Sequence, residues 1–198
     1  MGQKRGLPRP DVKFSDWPHL RYAARAHAGR KVVKTMKFRC EHRFNGIGLA
    51  DYEQLYFDED FNIALCGQVG LQRTLLSREI VGGKIHRVVK VAPERQIPPA
   101  AAKILGSAKI EYTETVDYVF GSGRGTWFTV SSLMTEKVDC RGSVHISGDS
   151  GYANRVIEGD VTVKLTFVGG VVEKFIIDDV QKSYDKAAEF TRNWLAKK

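Results

Sequence analysis

Between Gly169 and Leu195 the segment GGVVEKFIIDDVQKSYDKAAEFTRNWL contains no proline, and its apolar residues Val172, Phe175, Ile176, Val180, Tyr184, Ala187, Ala188, Trp194 and Leu195 recur at three- and four-residue spacing. That spacing is the period of one helix face. A long helix with a single apolar face has to be laid along a broad apolar surface supplied by the rest of the chain. The remaining sequence must build that surface, and either the protein or a ligand must fill the space beneath the helix.

The remainder reads mainly as strands. KFRCEHRF (37–44) alternates, with Phe38, Cys40 and His42 on one side. After NGIG, residues 49–70 carry Leu49, Tyr52, Leu55, Tyr56, Phe61, Ile63 and Leu65, a pattern of two short helices hinged around Asp58 to Asp60. Strand patterns follow at 71–81, 84–92, 108–120, 125–135, 138–147 and 152–167, separated by GG, GSGRG, TEK and SGDSG turn signals. GSGRG (121–125) lies between two strands and not before a helix, so it is a hairpin turn and not a phosphate cradle. One interval breaks the meander: APERQIPPAAAKILG (92–106) reads as a proline-bounded loop with a short helix at 100–105. Tight turns make neighbouring strands antiparallel, and a long last helix then crosses the concave face of a bent sheet. The expected architecture is α+β, a helix grip of about seven antiparallel strands with two short helices after the first strand and a long terminal helix.

This order of elements resembles the START-like (SRPBCC) superfamily, the polyketide-cyclase, lipid-transfer and Bet v allergen group. The resemblance is carried by VGG (168–170) leading into the terminal helix, NWL (193–195) near its end, LADYEQLYFDED after the first strand, and VAPERQIPPAAAKILG midway. The midway proline segment and the terminal WL look like an uncharacterised bacterial START-like family. The resemblance covers residues 36–195 and implies a cavity between the terminal helix and the sheet, of the kind used for sterols, phospholipids, fatty acids or polyketide-like molecules. It implies binding, and transfer, of a hydrophobic small molecule of lipid type, without a cofactor. A cyclase or hydratase using the same pocket, with Glu114 as its acid, and an adaptor acting through the basic N-terminal residues 1–35 are the alternatives.

Strand alternation tests that implication. Ile110, Tyr112, Glu114, Val116, Tyr118 and Phe120 share one face, opposite Lys109, Glu111, Thr113, Thr115 and Asp117. Ala153, Arg155, Ile157, Val161, Val163 and Leu165 share another, as do Ile85, Arg87, Val89 and Val91. Three charged residues, Arg87, Glu114 and Arg155, thus fall on faces that are otherwise apolar. A buried charge is costly, so these pair internally, reach a rim, or meet the polar group of a ligand. The candidate ligand contacts are Arg87, Tyr112, Glu114, Tyr118 and Arg155 from the strands, with Phe175 and Val180 from the terminal helix. Tyr112 and Tyr118 are open to a plain core role as well.

Charge is unevenly spread. Of the net +8 carried by 198 residues, residues 1–36 hold +7, from nine basic and two acidic side chains. The excess belongs to an N-terminal arm (1–35) and not to the domain (36–198), so nucleic acid is not the expected partner. The arm reads as a solvated tail or a short basic helix whose Trp17, Leu20 and Tyr22 suit an anionic membrane interface. Met36 directly precedes the first strand and is an alternative start. Cys40, Cys66 and Cys140 are an odd number with no paired spacing, and they read as reduced structural thiols in a cytoplasmic protein. No G-x-S-x-G nucleophile turn is present, and His19, His27, His42, His86 and His145 are scattered, which argues against hydrolysis.

Overall fold

The computed structural model describes residues 35–94, 109–133 and 135–197. The basic arm up to residue 34 and the expected short helix at 100–105 lie outside the described residues. Seven strands, β1 (Met36–Asn45), β2 (Leu71–Val81), β3 (Lys84–Pro93), β4 (Tyr112–Val119), β5 (Arg124–Ser131), β6 (Val138–Gly148) and β7 (Tyr152–Val163), form one antiparallel sheet. Its order is β1-β7-β6-β5-β4-β3-β2, a meander closed by β1 pairing with β7. Between β1 and β2 come α1 (Leu49–Phe57) and α2 (Glu59–Val69), and the chain ends in α3 (Gly169–Leu195). This is the α+β helix-grip fold.

Local chemistry accounts for the elements. β1 buries Phe38, Cys40, His42 and Phe44 and exposes the residues between them. On its outer face Arg39 donates to Glu158 of β7 at 2.5 Å and to Glu41 at 2.8 Å. The hinge between α1 and α2 is one residue, Asp58: its N–H bonds the Leu55 carbonyl to close α1, and its carboxylate accepts from Phe61 N–H at 2.7 Å to open α2. Gly82 and Gly83, both at positive φ (57° and 75°), make the two-residue β2–β3 turn, whose twist matches the strands it joins.

The last strand is shorter than its apolar run suggests. β7 stops at Val163 because the next pairing is taken elsewhere: Val163 N–H is held by the buried Glu173 carboxylate of α3 at 2.7 Å, and Lys164 N–H by the Lys137 carbonyl at 2.8 Å. β5 likewise ends at Ser131, whose carbonyl is turned back by the Thr135 hydroxyl at 2.8 Å. Beneath α3 the core is formed by Phe38, Phe44, Tyr52, Phe57, Ile85, Val116, Tyr118, Val144, Ile146, Ile157, Val161 and Val172, with Val180, Tyr184 and Leu195 packed against it.

Candidate functional site

β4 is an interior strand, yet its inward face is not uniformly buried. Val116 and Tyr118 are buried, whereas Tyr112 and Glu114 are only half-buried, and the Glu114 side chain keeps 24% exposure. Their register partners on β5, Ser131 and Thr129, are half-buried too. The cause is the seating of the helices: among the described elements the α3 backbone comes close to β1, β7 and α2, and α2 to β2. Among the described residues, the inward positions of β4 and β5 are thus the less covered ones at the end of the sheet where β7 passes into α3.

The interior beneath the helices is polar in two places. Arg87, 4% exposed, stands on β3 beside Val116 with one guanidinium nitrogen 3.7 Å from Glu114. Its guanidinium lies 5.0 Å from the Phe57 ring and 6.0 Å from the Tyr56 ring. Arg155, 3% exposed, stands on β7 opposite His42 of β1, between the rings of Tyr184 (5.3 Å) and Phe44 (5.4 Å), and approaches His42 Nδ1 at 3.4 Å. Tyr56 of α1 joins the two: burial raises its pKa, and Arg155 and Arg87 both pull it back down. Tyr184 of α3 is pushed up further by burial, with Tyr56, Glu114 and Tyr112 adding to the effect. At neutral pH these phenols are protonated hydrogen-bonding groups and not bases.

The structure therefore brings Arg87 and Glu114 together, with Tyr112 half-buried two residues before Glu114 on β4, and sets Arg155 on β7 beside His42, Phe44 and Tyr184. Tyr118 is elsewhere committed: it is 1% exposed, and its hydroxyl donates to Glu53 of α1 at 2.6 Å. Glu53 also accepts from Gly121 N–H at 2.9 Å, so it is a structural clasp between α1 and the β4–β5 turn. Val180 packs on the core from α3, while Phe175 is half-buried beside that face. Sequence reasoning missed Arg73, Glu59, Tyr56 and Tyr184 as members of the site. Arg73 of β2, its side chain 4% exposed, is paired with Glu59 of α2, and both act on the Cys66 thiol together with Arg87 and Glu114.

The other titratable groups have ordinary duties. His42 Nε2 meets Asp185 at 2.9 Å and His86 Nδ1 meets Asp117 at 2.7 Å. The three cysteines are free and buried, and burial pushes Cys40 and Cys140 up to about 11, which leaves them unreactive thiols. Among the described residues no His, Cys, Asp and Glu group is placed to hold a metal ion, and no helix is long and apolar enough to cross a membrane. Two surface hollows, of about 360 Å³ beside Phe190 and Trp194 and about 390 Å³ beside Leu49 and Ser150, involve none of the candidate residues.

A model of the DUF2505 family, described as a protein of unknown function, matches residues 40–195. The chain belongs to that family. No curated protein matches it. Solved structures do. A protein of Thermus thermophilus is 11% identical with a TM-score of 0.58, covering 81% of this chain and 97% of its own. The Zhui aromatase/cyclase of Streptomyces is 9% identical with a TM-score of 0.52, over 82% and 92%. A point mutant of Thalictrum flavum norcoclaurine synthase, in complex with a transition-state analogue, is 15% identical with a TM-score of 0.54, over 85% and 98%. These likenesses place the chain in the START-like helix-grip fold.

Proposed function

We propose that this domain binds a hydrophobic small molecule of lipid size between α3 and the inward face of the sheet, with Arg87, Glu114 and Arg155 orienting its polar end. The supporting observation is the half-burial of Tyr112, Glu114, Thr129 and Ser131 on the inward face of interior strands, while α3 comes closest to β1 and β7 on that same face. Apolar ligand surface entering that space leaves water, a gain of roughly 25 cal/mol per Å². Native mass spectrometry of the full chain, followed by organic extraction, tests the reading. A stoichiometric adduct supports it and names the ligand class. A bare mass, with no thermal shift from sterols, fatty acids, phospholipids or aromatic polyketides, removes it.

A catalytic variant of this reading has one observation behind it: Glu114 is a partly exposed carboxylate that acts on the Tyr184 phenol. If Glu114 is a general acid, Glu114→Gln abolishes turnover of a cyclisable substrate while leaving its binding within a few fold. A pure carrier shows no turnover in either form.

A further inference from the structure

The interior does not balance its own charge. Three guanidiniums, Arg73, Arg87 and Arg155, are each at least nine-tenths buried, and they face two carboxylates, Glu59 and Glu114. Glu59 is taken by Arg73. Glu114 stands off Arg87 at 3.7 Å, beyond hydrogen-bonding reach. Arg155 has no carboxylate partner among the described residues; the groups around it are the phenols of Tyr52, Tyr56 and Tyr184 and the Cys40 thiol. On the other side of His42, Asp185 is 74% exposed and holds the opposite ring nitrogen. Donors are left over as well: Arg87 Nε and Nη1 and Arg155 Nε are buried with no hydrogen-bond partner among the protein's atoms. Buried guanidinium N–H groups are costly to leave unmade, and an oxyanion is the acceptor that a guanidinium binds most strongly.

Building on the proposed ligand-binding reading, we infer that the ligand is a monoanionic amphiphile whose carboxylate is received by Arg155, the buried guanidinium with no carboxylate partner among the described residues. The surplus of one positive charge favours a single negative charge over the two of a phosphate monoester. The half-buried Tyr112, Glu114, Thr129 and Ser131 form the approach, and Glu114 repels a second negative charge there.

Calorimetric titration of the full chain with two matched pairs of probes tests this: oleate against oleyl alcohol, and 2-naphthoate against 2-naphthylmethanol. The expected result is that the acid of at least one pair binds roughly 10- to 100-fold tighter than its alcohol. In Arg155→Gln that preference collapses towards one, with the melting temperature kept or raised because an unpaired buried charge is gone. Oleoyl lysophosphatidate, a dianion, is expected to bind more weakly than oleate. Equal affinity for acid and alcohol overturns the anion site and leaves apolar binding standing. Tighter binding of the lysophosphatidate overturns the choice of a monoanion. Absence of binding by every probe overturns the anion site and the ligand-binding reading together. Should Arg155→Gln fail to fold, the acid-to-alcohol ratio of the unmodified chain still decides the matter.

Discussion

Gly142 and Gly159 face each other across β6 and β7, and two aromatic rings occupy the space their missing side chains leave. A Cβ on Gly159 would come within 2.6 Å of Phe38 and 2.7 Å of Trp127, and one on Gly142 within 2.7 Å of the same Trp127 ring. Phe38 and Trp127, whose ring centres are 6.0 Å apart, therefore lie against bare backbone. Gly159→Ala is expected to cost about 1–3 kcal/mol by overpacking, with Trp127 displaced. Urea denaturation followed by tryptophan fluorescence measures both; an unchanged midpoint would mean that the rings move aside freely. His42 supplies a pH dependence at the same scale. Burial, its largest influence, holds its pKa below the ordinary 6.5; the Asp185 hydrogen bond pulls upward, and Arg155 and Arg192 push down again. Between the lowered value and 6.5 the unfolded chain binds more protons than the native one, so stability from this residue is complete above pH 6.5 and is lost as pH falls through the lowered value. Melting temperatures between about pH 8 and pH 5 are expected to fall less steeply in His42→Gln than in the unmodified protein. Parallel curves would show that His42 does not titrate with unfolding.

At the scale of elements, Asp58 connects two helices by capping both. Asp58→Ala is expected to lose about 1 kcal/mol, read as a lower denaturation midpoint, while Asp58→Asn keeps most of it. The hinge at this position was legible in the sequence, because the helical period breaks at a good N-capping residue. The antiparallel pairing of turn-linked strands was legible too, since turns as short as Gly82–Gly83 leave no alternative. Strand ends were not. Leu165 and Phe167 continue the apolar pattern of β7, but Val163 N–H is claimed by Glu173, a partner ten residues away in another element. The site divides in the same manner. Arg87, Glu114 and Arg155 stood out because period-two alternation set a charge on an apolar face. Arg73 did not, because the β2–β3 register shifts between Leu75 and Ser77. Before the shift Arg73 and Leu75 pair with Val91 and Val89; after it Arg78 and Ile80 pair with Arg87 and Ile85, so no single parity describes the inward face of β2. Tyr56 and Tyr184 were visible only as members of apolar helix faces, and their company with two guanidiniums is a property of the assembled grip.

At the scale of the whole molecule, charge and core occupy different parts of the chain. The described core is drawn from residues 38–188, and the family model begins at residue 40, whereas residues 1–36 hold +7 of the net +8. Residues 36–198 alone are therefore expected to unfold cooperatively, with a melting temperature close to that of the full chain and the same affinity for whichever carboxylate probe the full chain binds. Basic side chains near an anionic bilayer contribute about 1 kcal/mol each, and that attraction is screened beyond a Debye length of about 10 Å at 0.1 M salt. The full chain is expected to sediment with phosphatidylserine vesicles at low salt and to be released as salt is raised, and the 36–198 fragment to stay in solution throughout. Vesicle binding by the fragment would move the membrane contact onto the grip itself. A fragment that loses both cooperative unfolding and probe binding would make the arm part of the domain, and the division of charge from core would then describe the sequence but not the folded molecule.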